Sequence, residues 1–281
     1  MSRQLDQRRA GGSRPPLLHV AVAWLFGLCC HLAFVTGVGT MMVMMIFGMS
    51  RSFGRLPSPG SYLADTLLLV QFPVLHSLLL STRGRRLLAR LAPFGLGRRL
   101  SSTTYVLIAS LQTLVLFALW TPTGPIWWQA KGGFYWALCG LNAGAWLLLL
   151  KSIVDAGFAL QTGALGWRAV ARGTDPRYPA MPVTGLFRLC RQPIYVAFTL
   201  TLWTVPTWTQ DQLALALVLS SYCLIGPLFK EARFARTFGT SFARYRAAVP
   251  YWVPTFKPVP FEASPTGTAD DPTSHGPTTP S

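Results

Sequence analysis

Long apolar runs broken by short polar and basic stretches dominate the pattern of the chain. Runs of spanning length occur at 18–47, 62–80, 103–121 and 134–154, each close to what a helix needs to cross a bilayer core. A further pair, 194–208 and 212–229, is separated only by Thr209, Gln210 and Asp211, which predicts a tight helical hairpin. The pattern therefore predicts an all-α fold: a polytopic integral membrane helix bundle of about six spans, ending in that hairpin. The first run is too long for a cleaved leader and lacks a small-residue cleavage site.

The runs divide the chain into four parts. Residues 1–17 form a basic lead, 18–157 a four-helix transmembrane half, and 158–261 a core with an interfacial helix, the hairpin and a juxtamembrane helix. Residues 262–281 are rich in Pro, Thr, Ser and Gly, and their composition predicts a disordered tail. From Phe158 to Tyr178 the sequence turns amphipathic, with Trp167, Arg168 and Arg172. It predicts a helix on the membrane surface or a lid over a site.

Composition supports the membrane reading. Of 281 residues, 51% are hydrophobic and only 12% charged, too apolar for an ordinary soluble domain. The net charge of +16 raises the possibility of nucleic acid, so the placement of the cations decides. Threading six spans from a cytoplasmic N-terminus puts 22 of the 25 Lys and Arg inside and 3 outside. That asymmetry is the positive-inside signature, and it accounts for the basicity without a nucleic-acid partner. Both termini are expected in the cytoplasm, in a bacterial inner membrane. The five cysteines show no paired or Cys/His spacing, so neither a disulfide framework nor a metal site is expected.

Several intramembrane residues have two readings. The methionines at 41, 42, 44 and 45 read as adaptable packing. Trp127 and Trp128 read as interfacial anchors. Lys151 and Asp155, i,i+4 at the end of a span, read as a structural pair. His76, beside Ser77 near the end of the second span, is an ionisable group at membrane depth and hence a functional candidate. It could equally bond a neighbouring helix.

The densest set of polar residues lies between Gly185 and Pro254, at both ends of the hairpin. Pro193 suits the first turn of a helix, which places Arg191, Gln192 and Tyr195 within one turn of each other. On the returning helix Phe234, Phe238, Phe242, Tyr245 and Val249 fall on one stripe if the helix continues through Gly239. Glu231 points into that stripe, whereas Lys230 and Arg233 fall at its edge or outside it. A carboxylate there needs a cation, and Arg191 or Arg188 is the expected partner.

This ordered set resembles the C-terminal core of the isoprenylcysteine carboxyl methyltransferase superfamily of membrane methyltransferases. That family's pattern is Arg-His-Pro-x-Tyr, a hairpin, a Glu-Glu pair, Phe-Gly, Tyr-x-x-Tyr and Val-Pro. Arg191, Pro193, Tyr195, Glu231, Phe238, Gly239, Phe242 (for the first Tyr), Tyr245, Val249 and Pro250 match it in order. Gln192 replaces the His, and Lys230 replaces the first Glu. The Leu-His-Ser element, the basic loop after it and Ser-Thr-Thr-Tyr at 102–105 are similar to the methanethiol S-methyltransferases and the NnrU-like membrane proteins.

The resemblance implies S-adenosylmethionine as cofactor and a small or lipophilic thiol as substrate. It implies a cofactor site formed by Gln192, Pro193, Tyr195, Glu231 and Tyr245, with Arg191 and Glu231 as the catalytic, pocket-ordering residues. No Gly-rich strand-to-helix turn is present, so a Rossmann-type cofactor site is not expected. Two alternatives stay open. One is an NnrU-like heme-binding protein with His76 as axial ligand. The other is a non-catalytic scaffold, suggested by the two departures.

Overall fold

The computed structural model describes residues 15–261; the first fourteen residues of the basic lead and the tail from Glu262 lie outside them. Among the described residues the chain is mainly helical, with almost no sheet. The elements are α1 (Leu17–Ile46), α2 (Gly60–Leu80), α3 (Thr82–Leu91), α4 (Gly97–Leu119), β1 (Ile126–Gln129), α5 (Gly132–Asp155), α6 (Phe158–Gln161), α7 (Ala164–Ala171), α8 (Pro193–Trp203), β2 (Thr207–Thr209) and α9 (Gln210–Ala248). A 3-10 turn at Gly185–Arg188 precedes α8.

Five helices, α1, α2, α4, α5 and α9, are long and apolar enough to cross a membrane. They form the integral membrane bundle that the hydrophobic runs predict. The sixth run behaves differently. α8 has 11 residues, about 16 Å at the rise of an α-helix, too short to span alone. It ends at Trp203, and Thr204–Pro206 carry the chain on to β2. The apolar run at 194–208 is thus part helix, part extended chain. The partner arm is longer than expected: span and juxtamembrane helix are one element, α9, of 39 residues, interrupted at Gly239 (φ +47°). Glycine takes that left-handed conformation without the Cβ penalty.

Burial has a simple logic. Wide apolar faces of the spanning helices stay exposed, as lipid-facing surfaces do, while Met41, Met44, Met45, Leu116, Phe117, Leu202 and Leu219 meet in the centre. The methionine run is packing, as its spacing predicts. α1 lies along α4, and α7 is wedged against both. The amphipathic segment therefore packs against the bundle through α7. Trp167 occupies the space left by Gly27, where an added Cβ would come within 2.7 Å of the indole.

The two ends of the bundle differ. At one end β1 pairs antiparallel with β2. There Asp65 Oδ1 accepts from the Thr121 amide at 2.9 Å, and Asp211 Oδ2 accepts from the Thr123 amide at 2.9 Å. The other end carries α3, the turn at Gly185–Arg188 and the strap after α9. Lys151 and Asp155 form their ion pair, and Asp155 Oδ2 also accepts from the Leu186 amide at 2.8 Å. That pair is structural: it fixes the turn that delivers Arg191.

Candidate functional site

The residues of the Gly185–Pro254 motif come together. Arg191 Nε donates to Glu231 Oε1 at 2.8 Å, and its Nη2 lies 3.4 Å from Oε2. Gln192 Nε2 donates to the same Oε1 at 2.8 Å. Arg191 Nη1 donates to the carbonyls of Arg246 and Val249 at the end of α9, at 2.9 and 2.5 Å. Arg191, Gln192 and Glu231 are 8%, 1% and 7% exposed, so the ion pair is buried and its charges are met by one another. Such a pair is costly to break from one side only, because the remaining charge stays buried. Arg188, the other candidate cation, donates instead to the Val259 carbonyl at 2.9 Å.

The residues of the aromatic stripe come together although the helix that carries them is interrupted at Gly239. Phe242, Tyr245 and Val249 are buried with Met181 and Val183, and Phe234 and Phe238 pack against them. Tyr245 Oη donates to the Phe187 carbonyl at 2.6 Å, so its hydroxyl is committed to the backbone. Pro193 starts α8 and is buried, and the Tyr195 amide returns to the Gln192 carbonyl at 3.1 Å. One polar atom in this knot has no partner. Gln192 Oε1 is buried and accepts no hydrogen bond. The free space inside the knot is only about 10 Å³, so it is a brace around a slit.

Lys230 departs from its expected place at the edge of the stripe. Its ammonium sits 5.4 Å from the Tyr195 ring centroid, 5.7 Å from Phe234 and 6.0 Å from Phe187. Helix angle alone misplaces it because the long side chain folds back over three rings, two of them from outside its own turn. Cys190, next to the knot, is buried, and burial pushes its thiol pKa up. It is therefore a neutral thiol and not an activated nucleophile.

A larger space adjoins the knot across Phe234. This cavity, about 490 Å³, runs from Arg85, Ser101, Tyr178 and Arg233 at the basic end to Val38, Met41 and Thr113 at the middle of the bundle. Its volume falls within the range of small-molecule sites. His76 and Tyr105 line it, with His76 Nε2 and Tyr105 Oη 2.6 Å apart. His76 also stacks on Phe72 with centroids 5.3 Å apart. The other intramembrane histidine, His31, accepts from Trp167 Nε1 at 3.1 Å.

The hydrophobic pattern singles out His76 but not its partner or the cavity. Tyr105, Arg233, Arg85 and Phe234 reach it from three different helices. The only hint in the sequence is hydroxyl-rich residues 101–105 opening a spanning helix. None of the six predicted site residues, Arg191 and the five of the cofactor site, is among the larger cavity's lining residues.

These features define a class: an integral membrane helix bundle with a ligand-sized cavity beside a buried charge knot. Comparison with known proteins gives the family. The chain is 30% identical over 196 residues to a methanethiol S-methyltransferase of Bradyrhizobium diazoefficiens, covering 68% of this chain and 73% of the relative. It is 29% identical over 238 residues to one from a Pseudomonas species, covering 82% and 89%. It is also 29% identical over 168 residues to Nurim of Rattus norvegicus, covering 56% and 62%. No family model and no solved structure matches the chain. The chain belongs to the isoprenylcysteine carboxyl methyltransferase-like superfamily of membrane methyltransferases.

Proposed function

We propose that this protein is an S-adenosylmethionine-dependent thiol S-methyltransferase, with methanethiol the first acceptor to test. The carrying observation is the conjunction of the buried Arg191–Glu231–Gln192 knot with the adjoining 490 Å³ cavity in a chain related to named methanethiol S-methyltransferases. The residues fit a nucleoside-sized donor in one respect, the volume of the cavity; Gln192 Oε1, a buried acceptor without a partner, lies in the adjoining slit and not in that cavity.

S-adenosylmethionine supplies an electrophilic methyl group on a sulfonium. Arg191 and Glu231 act as positioning residues: their pair locks the start of α8 against α9, the helix that brings Arg233 and Phe234 to the cavity. Tyr105 Oη and His76 Nε2 are hydrogen-bonded at 2.6 Å, and this pair, lining the cavity, is the group placed to receive the proton of the acceptor thiol. The apolar lining excludes water, so the thiolate is not held back by hydration. We place the basic end and both termini in the cytoplasm of a bacterial inner membrane, following the 22-to-3 division of cations; reporter fusions at Gly95 and Gln210 should report opposite sides.

Purified protein in detergent, given methyl-labelled S-adenosylmethionine and methanethiol, should release labelled dimethyl sulfide. Binding of the donor without transfer to any thiol would leave the scaffold reading in its place. The same preparation tests the heme reading. A Soret band lost in His76→Ala would support it, whereas the Nε2 atoms of both intramembrane histidines are already held by ring partners.

A further inference from the structure

Three cations lie around the cavity and the knot, and among the described residues none of them is paired with an acid. Arg233 on α9 and Arg85 on α3 both line the cavity at its basic end. They are near enough to act on one another electrostatically. Neither makes an ion pair with any described residue. Lys230, one turn before Phe234, is met by ring faces and not by a carboxylate. Glu231, the acid in this part of the structure, is already held by Arg191 and Gln192. Arg233 is half-buried, so its charge is poorly screened and lacks a protein counter-ion.

Two guanidinium groups with free donors at the mouth of an otherwise apolar cavity are matched to a planar oxyanion. A guanidinium presents its N–H groups as a fork to a carboxylate. The deep part of the cavity, at Val38, Met41 and Thr113, offers no charge. We propose that Arg85 and Arg233 form a carboxylate site, and that the ligand filling the cavity lies with its anionic end there and its uncharged part toward His76 and Tyr105. The inference rests on the methyltransferase reading for the identity of the ligand, but not for the existence of the anion site. The carboxylate has two possible sources: the methionyl end of the donor, or a carboxylate on the acceptor. Methanethiol has no anionic end, and a molecule of two heavy atoms fills on the order of an eighth of such a cavity, taking about 30 Å³ per water-sized group.

The test is titration calorimetry on the full chain in detergent at neutral pH, with two matched pairs of probes. One pair is S-adenosylhomocysteine and its decarboxylated analogue; the other is mercaptohexanoate and hexanethiol. In the wild-type protein the carboxylate member of at least one pair should bind about tenfold or more tightly, the gain of one charge-assisted contact. Arg233→Gln should abolish that preference, and Arg85→Gln should reduce it. Arg233→Glu should reverse it, so that the member of the pair lacking the carboxylate outcompetes the acid, a result that mere loss of folding does not produce.

A preference in the first pair assigns the site to the donor, and one in the second assigns it to the acceptor. Equal affinities within both pairs in the wild type, or preferences untouched by Arg85→Gln and Arg233→Gln, overturn the proposal. Failure of the methyltransferase reading looks different. The adenosyl probes would then not bind, while the mercaptohexanoate preference and its dependence on Arg233 would remain.

Discussion

The knot and the cavity sit side by side across Phe234, and they are built on opposite principles. In the knot almost every polar group is satisfied: both oxygens of Glu231, Arg191 through three nitrogens, the Tyr245 hydroxyl and the Gln192 amide nitrogen all have partners. The cavity is the reverse. It has volume, two arginines without ion-pair partners and the His76–Tyr105 pair at its wall. Saturated polar groups hold a shape, whereas a space lined by unsatisfied ones can receive a ligand. The motif residues therefore pack into a brace, and the larger cavity beside it is lined by residues from outside the predicted site set.

The sharpest way to break this contrast is to unpair the knot. Arg191→Met leaves Glu231 as a buried, uncompensated charge, and the expected loss is about 3–5 kcal/mol of stability, read by thermal denaturation in detergent. The double variant Arg191→Met, Glu231→Met should recover most of it. A knot variant that melts like the wild type yet has lost donor binding would make these residues ligand contacts instead. Glu231→Gln keeps the hydrogen bond from Gln192 but not the charge, and turnover should fall roughly tenfold, or 1.4 kcal/mol.

The cavity side should respond in the opposite sense. His76→Phe and Tyr105→Phe should lower turnover by about a hundredfold, the lower range for loss of a proton-transfer group, while the melting temperature moves little. Equal losses of stability and turnover would reduce the pair to packing.

Smaller effects refine the boundary between the two regions. Lys230→Ala removes a cation from over three rings and should cost on the order of 1–2 kcal/mol, more than its place at the edge of the helical stripe implies. Lys230→Arg should retain most of that stability. Cys190 defines the floor. Its thiol is raised in pKa by burial, so it remains neutral at pH 8 and should resist alkylation in the folded protein; Cys190→Ala should change turnover by less than about twofold.

Much was legible in one dimension because lipid enforces it. Spans at 18–47, 62–80, 103–121 and 134–154 reappear as α1, α2, α4 and α5 within a few residues, except that α4 begins at Gly97. Backbone in hydrocarbon must bond internally, so a long apolar run has few alternatives to a helix. The stripe from Phe234 to Val249 and the pairing of Glu231 with Arg191 followed from helical periodicity and from the cost of an unmet buried charge.

What tertiary structure decided was where one helix meets another. Hydropathy does not distinguish an apolar helix from apolar extended chain, and α8 stops at Trp203 where the chain passes into β2, which pairs with β1 through Ile126–Thr209, Trp128–Trp208 and Gln129–Thr207. The amphipathic segment packs against the bundle at Trp167, where Gly27 leaves room for the indole. The cavity is the clearest case. His76, Tyr105, Arg85 and Arg233 carry no local signal of proximity, since each lies on a different helix and only packing brings them to one space. Local rules set each helix and its buried face; the gap left between helices is a property of their packing.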